Sequence, residues 1–488
     1  MVDLANILRP IASAHISLCG SPRGATAIVD ATGKVLATWG LDASPFTVFR
    51  IASMTKSFTA AAVLALRDRG TVNLDAPIAT IDAALRSIVG PGVDPTPITL
   101  RHLLTMSSGL ATDDPWADRH LDATDADLDS WIAGGLRFAY PTGTKFEYSN
   151  LGYALIGRVI HRATGKRLQD HVRELFLEPL AMAHTAWSLD DLPTDSDVSL
   201  GMHEVDGTLI PEPPLNDGVV APMGGLWSCT ADLCRWIAFL SSAFTSDPIA
   251  GALSPSSRRE MQQLQRGIKV RRSEANDGSQ RLSEGGYAMG LTTFLDDRFG
   301  WIVTHSGGLP GFGSNMRWAP GGVGVVSLAN ITYAPMWDAS AAVLDALGHA
   351  GLIAPVTPSV KESLTIAAGR LAALFAHWDD ALISTTFTDN VLLDVTASIR
   401  QREIFERFGS PEALDVAALE PANATAGIVT LVAAGHLQRL SIQLAPIGDA
   451  LIQKYEWVSP SNNMYAYVDG CEPKSNIVTA EEVAPIDR

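Results

Sequence analysis

Apolar and polar residues alternate with a period of two in some stretches of this chain and follow a helical period in others. The pattern predicts strands at residues 25–29 and 35–39, with many helical patches after them. Residues 57–66 are apolar on nearly every side, which predicts a buried helix. Gly70, directly after Arg67, Asp68 and Arg69, is a suitable residue to end that helix.

A second pattern begins after residues 351–358, a short uncharged stretch that contains two prolines. About 350 residues precede this stretch and about 130 follow it. The later block predicts a helix at 359–376 that starts after Pro358, a strand-like segment at 382–394, a helix at 398–408, and strands at 428–433 and 437–444. We therefore expect a small α+β appendage, in which we find no motif with an assignable chemistry.

Composition describes an ordinary globular protein with an acidic balance. The 488 residues include 36 Lys and Arg against 53 Asp and Glu, which gives a net charge of −17. Because no cluster of five or more basic residues occurs, we expect no nucleic-acid partner and no anionic membrane surface as a partner. The sequence leaves the oligomeric state open.

Segments for export or for membrane insertion are not evident. No stretch approaches 18 consecutive apolar residues, and residues 1–20 lack the basic and apolar regions of a signal peptide. The four cysteines, Cys19, Cys229, Cys234 and Cys471, are too scattered for a disulfide framework. We therefore expect a cytoplasmic protein.

Several common catalytic signatures are absent. The sequence contains no G-x-S-x-G, no phosphate-binding G-x-x-x-x-G-K-[ST], no G-x-G-x-x-G and no H-E-x-x-H. Cys229 and Cys234 form a C-x4-C pair without further partners at zinc-ligand spacing. We therefore expect no cofactor and no metal.

The first chemical pattern is Ser53-Met-Thr-Lys56, directly before the predicted buried helix. Alone, S-x-x-K describes a helix-capping serine and a solvated lysine. Here both residues precede an apolar helix, and residues three apart on a helix share a face, so Lys56 can reach the Ser53 hydroxyl. A partly desolvated lysine loses its charge more easily and can act as a base. The N–H of Ser53 at the helix start suits one half of an oxyanion hole.

The second pattern is Tyr148-Ser-Asn150, after a turn-rich segment. If the segment is extended, the two side chains point the same way. A phenol beside Lys56 can pass the serine proton to a leaving group, and Asn150 can hold the lysine and donate to a substrate carbonyl. The alternative is a core tyrosine and an asparagine that forms a turn.

The third pattern is His305-Ser-Gly307-Gly308, in which His305 ends a predicted strand at 301–304. The glycines would let a substrate backbone pair with the strand edge. The N–H of Gly308 is then the natural second donor of an oxyanion hole. The alternative is a turn with an incidental histidine.

Together the three patterns resemble the boxes S-x-x-K, Y-x-N and H-x-G of the serine β-lactamase and penicillin-binding-protein superfamily. The resemblance covers about residues 5–350. Tyr148-Ser-Asn150 is similar to the branch that contains class C β-lactamases, D-Ala-D-Ala carboxypeptidases and D-aminopeptidases. The third box, His305-Ser-Gly307 where class C β-lactamases have K-T-G, is similar to D,D-peptidases and D-aminopeptidases. It favours peptide or amide substrates over β-lactams.

The resemblance implies an α/β (α+β) fold. We expect a β-lactamase-like antiparallel sheet flanked by helices, with a helical lobe, in a catalytic domain of residues 1–354. A C-terminal accessory α+β domain of residues 355–488 would follow. In this scheme Ser53, Lys56 and Tyr148 are catalytic, and the substrate-binding residues are Asn150, His305, Gly307 and Gly308.

The function implied is that of a serine hydrolase that forms an acyl-enzyme on Ser53. Its partner would be a small molecule or a short peptide, amide or ester, with D-configured substrates among the candidates. One alternative is a penicillin-binding-protein-type thioesterase or peptide cyclase, in which an amine takes the acyl group. Another is a non-catalytic sensor on the same fold.

Overall fold

The computed structural model of the chain describes residues 3–268, 271–274, 280–296, 298–353, 360–433 and 435–458. The chain divides into two compact units, Met1–Pro355 and Val356–Arg488. The predicted junction at residues 354 and 355 and the predicted helix start at Ser359 lie outside the described residues.

A large antiparallel sheet is the centre of the first unit. The described strands of this unit are β1 (Gly24–Val29), β2 (Val35–Leu41), β3 (Phe49–Arg50), β4 (Met202–Val205), β5 (Thr208–Pro211), β6 (Trp227–Ser228), β7 (Arg266–Gly267), β8 (Arg271–Glu274), β9 (Gln280–Tyr287), β10 (Thr292–Asp296), β11 (Gly300–Leu309), β12 (Phe312–Trp318) and β13 (Gly324–Ala329). The sheet has the order β2-β1-β13-β12-β11-β10-β9-β7, with β8 paired to β9. Because β1 pairs with β13, the two ends of the unit build one sheet. The predicted strands at 25–29 and 35–39 are confirmed as parts of β1 and β2.

The described part of the first unit contains ten α-helices, of which the first, the eighth and the tenth pack on the strands of this sheet. The ten helices are α1 (Leu4–Leu18), α2 (Thr55–Asp68), α3 (Leu100–Leu104), α4 (Asp114–Ala117), α5 (Asp125–Gly134), α6 (Asn150–Thr164), α7 (Leu168–Val172), α8 (Thr230–Ser241), α9 (Pro255–Met261) and α10 (Met336–His349). Strand β1 shows the layering, because Ile28 packs in a core with α1 and α10 while its neighbours Ala27 and Val29 pack in the core that contains α2 and α8. Within the described residues we find no helix whose length and apolar character would let it cross a bilayer.

Helix α2 lies in the interior of the first unit. All of its residues from Thr55 to Leu66 are buried, which confirms the buried helix predicted at 57–66. The small side chains of its alanines let neighbouring elements approach closely. Gly70 follows the helix with a φ of 73°, the left-handed conformation that ends helices at little cost for glycine.

The second unit is an α+β structure with its own hydrophobic core. Its described elements are α11 (Glu362–Ala376), α12 (Asp380–Thr386), α13 (Asn390–Asp394), α14 (Ala397–Phe408), β14 (Asp415–Pro421), β15 (Ala426–Ala433), β16 (His436–Leu444) and β17 (Ile452–Trp457). The four strands form one antiparallel sheet in chain order. The predicted helix at 398–408 and the predicted strands at 428–433 and 437–444 are confirmed.

The strand predicted at 382–394 is wrong, because this segment forms α12 and α13. The Asp379 carboxylate accepts hydrogen bonds from the backbone N–H groups of Ala381 and Leu382 at 2.8 and 2.9 Å. Asp389 accepts from the N–H of Asn390 at 2.9 Å, directly before α13. These aspartates satisfy the free donors of two short helices, a local effect that outweighs the strand-like apolar pattern.

Candidate active site

Ser53 and Lys56 meet where a 3-10 turn enters α2. Ser53 lies in the turn Ala52–Met54, and Lys56 is the second residue of the helix. The Lys56 Nζ donates a hydrogen bond to the Ser53 Oγ at 3.0 Å, as the three-residue spacing predicts. Ala52 has a φ of 50°, a conformation that costs about 1–3 kcal/mol in a residue other than glycine. The chain is therefore strained directly before the serine.

The Lys56 amine is completely buried and fully hydrogen-bonded. Besides Ser53, the Nζ donates to the Asn150 Oδ1 at 2.6 Å and to the Met223 carbonyl at 2.8 Å. It lies 4.8 Å from the centre of the Tyr148 ring and 5.4 Å from that of Tyr153. Burial lowers the pKa of Lys56 to about 8, although the carboxylates of the aspartates at 113, 114 and 118 oppose the shift. A lysine with this pKa can give and take a proton near neutrality.

Tyr148 and Asn150 both contact Lys56 from the two sides of Ser149. Ser149 is the N-cap of α6 and accepts from the Gly152 N–H at 3.2 Å, so the helix begins at Asn150. Ser149 itself is extended, with φ −135° and ψ 118°, as considered for this segment, and the helix that follows from Asn150 was not predicted. Burial raises the pKa of Tyr148 well above its usual value, and its interaction with the Ser53 hydroxyl opposes this rise.

Asn150 lies beneath the cavity that Ser53 lines. Its Oδ1 accepts from Lys56, and its Nδ2 donates to the Asp114 carboxylate at 2.6 Å. The Asp113 carboxylate accepts from the backbone N–H groups of Asn150 and Leu151, both at 2.7 Å, and so fixes the start of α6. The structure therefore places Asn150 as a support of Lys56, and its contact with a substrate stays a prediction.

His305, Gly307 and Gly308 lie within β11. The prediction that the strand ends at His305 is wrong, because its pairing with β12 continues to Leu309. On its other side, β10 pairs only with residues 300–304, so within the described residues the edge from His305 to Leu309 is open. A Cβ on Gly307 would lie 2.3 Å from the Ile51 carbonyl oxygen. Glycine therefore lets β11 touch the segment that carries Ser53.

A cavity of about 460 Å³ opens beside Ser53. Its wall is formed by Ser53, Asp114, Asp118, Phe146, Tyr148, Ile268, Tyr287, Thr292, Thr304, His305, Ser306, Gly307, Gly308, Ser314, Tyr333, Ala334, Pro335, Met336 and Trp337. Among these described residues there is no lysine or arginine, whereas two carboxylates face the cavity. The Tyr333 hydroxyl donates to Asp118 at 2.9 Å. Burial raises the pKa of Asp118 to about 7, against the effect of that hydrogen bond.

All seven predicted residues therefore come together in one place. Ser53, Tyr148, His305, Gly307 and Gly308 line the cavity, while Lys56 and Asn150 lie directly beneath it. Whether the N–H groups of Ser53 and Gly308 bind an oxyanion stays a prediction.

Sequence reasoning did not assign four titratable residues of the wall, namely Asp114, Asp118, Tyr287 and Tyr333. The two aspartates belong to an acidic stretch that is visible in the sequence, but nothing local shows that they face a cavity. The two tyrosines come from strand and loop positions more than 230 residues after Ser53. Only the folded chain brings them to the serine.

This fold and this serine–lysine pair define the class of β-lactamase-like proteins, whose members are generally hydrolases of the serine type. The sequence model of the Beta-lactamase family matches residues 19–350. The chain belongs to this family.

Two relatives by sequence illustrate the distance within the family. "Protein flp" of Staphylococcus aureus is 27% identical over 322 residues, which cover 63% of this chain and 59% of that protein. The chain therefore matches less than two thirds of the length of this relative. "Beta-lactamase-like protein 2" of Dictyostelium discoideum is 30% identical over 196 residues, which cover 39% of this chain and 35% of that protein.

Two solved structures share the fold. The octameric penicillin-binding protein homologue from Pyrococcus abyssi matches with a TM-score of 0.57 and 19% identity, over 94% of this chain and all of that one. A D-stereospecific amidohydrolase from Streptomyces sp. matches with a TM-score of 0.53 and 22% identity, over 71% of this chain and 98% of that one. At these identities the comparison concerns the fold.

Proposed function

We propose that this protein is a serine hydrolase that forms an acyl-enzyme on Ser53 and acts on small peptides, amides or esters, D-configured ones among them. The observation that carries this proposal is the 3.0 Å hydrogen bond from a completely buried Lys56 amine to a serine hydroxyl that lines a cavity. A nucleophile in contact with a base of lowered pKa is the arrangement that acyl transfer requires.

The reaction would begin with proton transfer from Ser53. Lys56 and Tyr148 titrate as a coupled pair, and with Lys56 neutral the pair accepts the Ser53 proton while Oγ bonds to the substrate carbonyl carbon. The N–H groups of Ser53 and Gly308 stabilise the oxyanion. The bond to the leaving group then breaks, and Tyr148 returns the proton to that group. A water molecule then bonds to the acyl carbon and loses a proton to the same pair. The bond from that carbon to Oγ breaks, and the pair returns the proton to Oγ, which restores the serine and releases the acid.

The charges at the cavity support substrates without a carboxylate next to the scissile bond. Two carboxylates, Asp114 and Asp118, face the cavity, and no lysine or arginine belongs to its described wall. The histidine of the third box brings no positive charge, because burial and the nearby Lys56 lower the pKa of His305 to about 3. An amide or ester without a carboxylate on its leaving group therefore fits better than a penicillin, which carries one there.

We also propose that the protein acts in the cytoplasm on a small molecule or short peptide, without a nucleic-acid or membrane partner and without a cofactor. Three cysteines, Cys19, Cys229 and Cys234, carry free thiols in the described part of the chain, which agrees with a reducing compartment. The net charge of −17 opposes binding to phosphate backbones. Fractionation of the producing cells tests the location, and recovery in the exported fraction would contradict it.

Ser53→Ala tests the catalytic proposal. We expect the purified variant to keep less than about one percent of the activity of the native chain, because removal of a nucleophile typically costs several orders of magnitude. The substrate panel is a D-aminoacyl anilide, a short-chain nitrophenyl ester, a chromogenic cephalosporin and a peptidyl thioester. Higher residual activity would overturn the assignment of Ser53.

Two readouts separate the alternatives. The product masses from the peptidyl thioester, with and without an added amine, distinguish hydrolysis from transfer to an amine. A fluorophosphonate probe should label Ser53 in the native chain and leave Ser53→Ala unlabelled. If the native chain is neither labelled nor active on the panel, the protein is a non-catalytic member of its fold.

A further inference from the structure

Tyr287 is a residue of the cavity wall for which the proposed reaction has no role. It ends β9, and its backbone is fixed on both sides, by pairing with Thr292 of β10 and with Arg266 of β7. Its side chain is buried, and its hydroxyl contacts the Nε2 of His305 at 3.1 Å. A phenol held by three strands is a rigid partner for a histidine.

The two hydrogen bonds of His305 define the state of its ring. The Nδ1 lies 2.6 Å from the Ser306 carbonyl oxygen, and since a carbonyl only accepts, the Nδ1 carries the hydrogen. The Nε2 of a neutral ring then has a free lone pair, which accepts the Tyr287 hydroxyl hydrogen. Both nitrogens are thus satisfied in a neutral imidazole that is 5% exposed.

These bonds act at the start of the open edge of β11. Because no described strand pairs with His305 to Leu309 on that side, no ladder of strand-to-strand hydrogen bonds fixes the edge. Side chains hold it instead. The Asn315 Nδ2 donates to the His305 carbonyl at 3.2 Å and to the Ser306 Oγ at 3.0 Å, while the His305 ring holds the Ser306 carbonyl.

We propose that Tyr287 is a positioning residue of the active site, whose hydroxyl holds His305 in the Nδ1–H form that fixes the Ser306 carbonyl beside Gly307 and Gly308. This inference rests on the proposed function, because the open edge of β11 is where the substrate would lie. Tyr287 acts through His305 and takes no part in bond making. Through His305, Tyr287 thus supports a strand edge that no described neighbouring strand holds.

Charged and titratable groups around His305 keep its ring neutral. Lys56 of α2 lowers the pKa of His305, and burial lowers it further. The ring centres of Tyr148 and Tyr287 are 6.2 Å apart, and both side chains line the same cavity. The carboxylates Asp114 and Asp118 line the same cavity, and negative charge near an imidazole favours its protonated form.

The direct test is nuclear magnetic resonance of the full chain labelled with 15N-histidine. The His305 signals are identified by their loss in His305→Gln. We expect Nδ1 protonated and Nε2 unprotonated in the native chain, with no titration between about pH 5 and about pH 9. In Tyr287→Phe we expect a second tautomer or a titration within that range. A native ring with its hydrogen on Nε2 overturns the proposal even if Tyr287→Phe does not fold.

The kinetic test uses the best substrate of the panel. Loss of one hydrogen bond should lower kcat/KM of Tyr287→Phe about tenfold. The loss should grow as the pH falls through the ordinary histidine range near about 6.5, because His305 can then become charged. Tyr140→Phe, a matched change outside the cavity wall, should keep the native profile.

A loss that is the same at every pH, or native kinetics in Tyr287→Phe, overturns the positioning role. Failure of the proposed function would look different. In that case Ser53→Ala keeps its activity, while the resonance experiment still reports the state of His305.

Discussion

At the scale of single residues, the site depends on an amine that the fold makes easy to deprotonate. Lys56 is surrounded by protein on every side, which disfavours its charged form, and three neighbouring carboxylates favour that form again. The two effects leave its pKa at about 8 rather than 10.5. Burial thus outweighs the aspartates, and the residue can exchange protons under physiological conditions.

The pKa of Lys56 predicts the pH dependence of acylation. Only the neutral amine accepts the Ser53 proton, so kcat/KM for an uncharged ester should rise with pH and level off above about pH 8. Asp114→Asn removes a charge that raises this pKa, so the rising limb should move to lower pH. Rate profiles of the two proteins check this, with the exposed Asp122→Asn as control. A limb that moves to higher pH in Asp114→Asn contradicts the electrostatic account.

At the scale of elements, the contact between β11 and the turn before α2 determines the geometry of the site. Gly307 packs against the backbone of Ile51 and against the Ser314 side chain, whose hydroxyl donates to the Ile51 carbonyl at 2.7 Å. The strand that would bind the substrate and the turn that carries the nucleophile are therefore in direct backbone contact. A glycine is required there because any side chain would enter occupied space.

Gly307→Ala should separate these two elements. The new methyl group would lie 2.3 Å from the Ile51 oxygen, so the turn with Ser53 must move. We expect kcat/KM to fall about a hundredfold, and the free energy of unfolding to fall by about 1–3 kcal/mol. Gly267→Ala is the matched control, because a Cβ there meets no atom within 4 Å. Native activity in Gly307→Ala would show that the site tolerates this movement.

At the scale of the whole molecule, the two units have separate cores. The core of the second unit contains Leu371, Val429 and Tyr455, and none of its described members comes from the first unit. The proposed catalytic residues, Ser53, Lys56 and Tyr148, all lie in the first unit. The stability of the active site therefore depends mainly on the core around α2 and the large sheet.

Leu371→Ala tests the independence of the two cores. Leu371 is completely buried in α11, so its truncation should destabilise the second unit by about 2–5 kcal/mol. Calorimetry should show one transition shifted to lower temperature, while the temperature of inactivation stays constant. Ile366→Ala, on the same helix at a position that is 40% exposed, should change stability by less than about 0.5 kcal/mol. If both thermal transitions of Leu371→Ala move to lower temperature together, the two units unfold cooperatively and the predicted independence of their cores is wrong.

The sequence was most informative where the chemistry is local. Ser53 and Lys56 could be paired from their spacing, since a helical turn brings residues three apart together. Tyr148 and Asn150 were identified, but the helix that begins at Asn150 was not, because the single cap at Ser149 starts it. The prediction of a strand at 382–394 was wrong for the same reason, because single aspartates that cap two helices outweighed the apolar pattern.

The amino-acid sequence by itself determined the family and several strands and helices, and it predicted the candidate site residues, because these follow from short spacings and periodic burial. Tertiary structure alone decided which distant groups complete the site. The hydrogen bonds of Asp114 with Asn150, Tyr333 with Asp118 and Tyr287 with His305 join different elements that are 36, 215 and 18 residues apart in the chain. No local pattern encodes such contacts, because they depend on how the sheet and the helices close around one cavity.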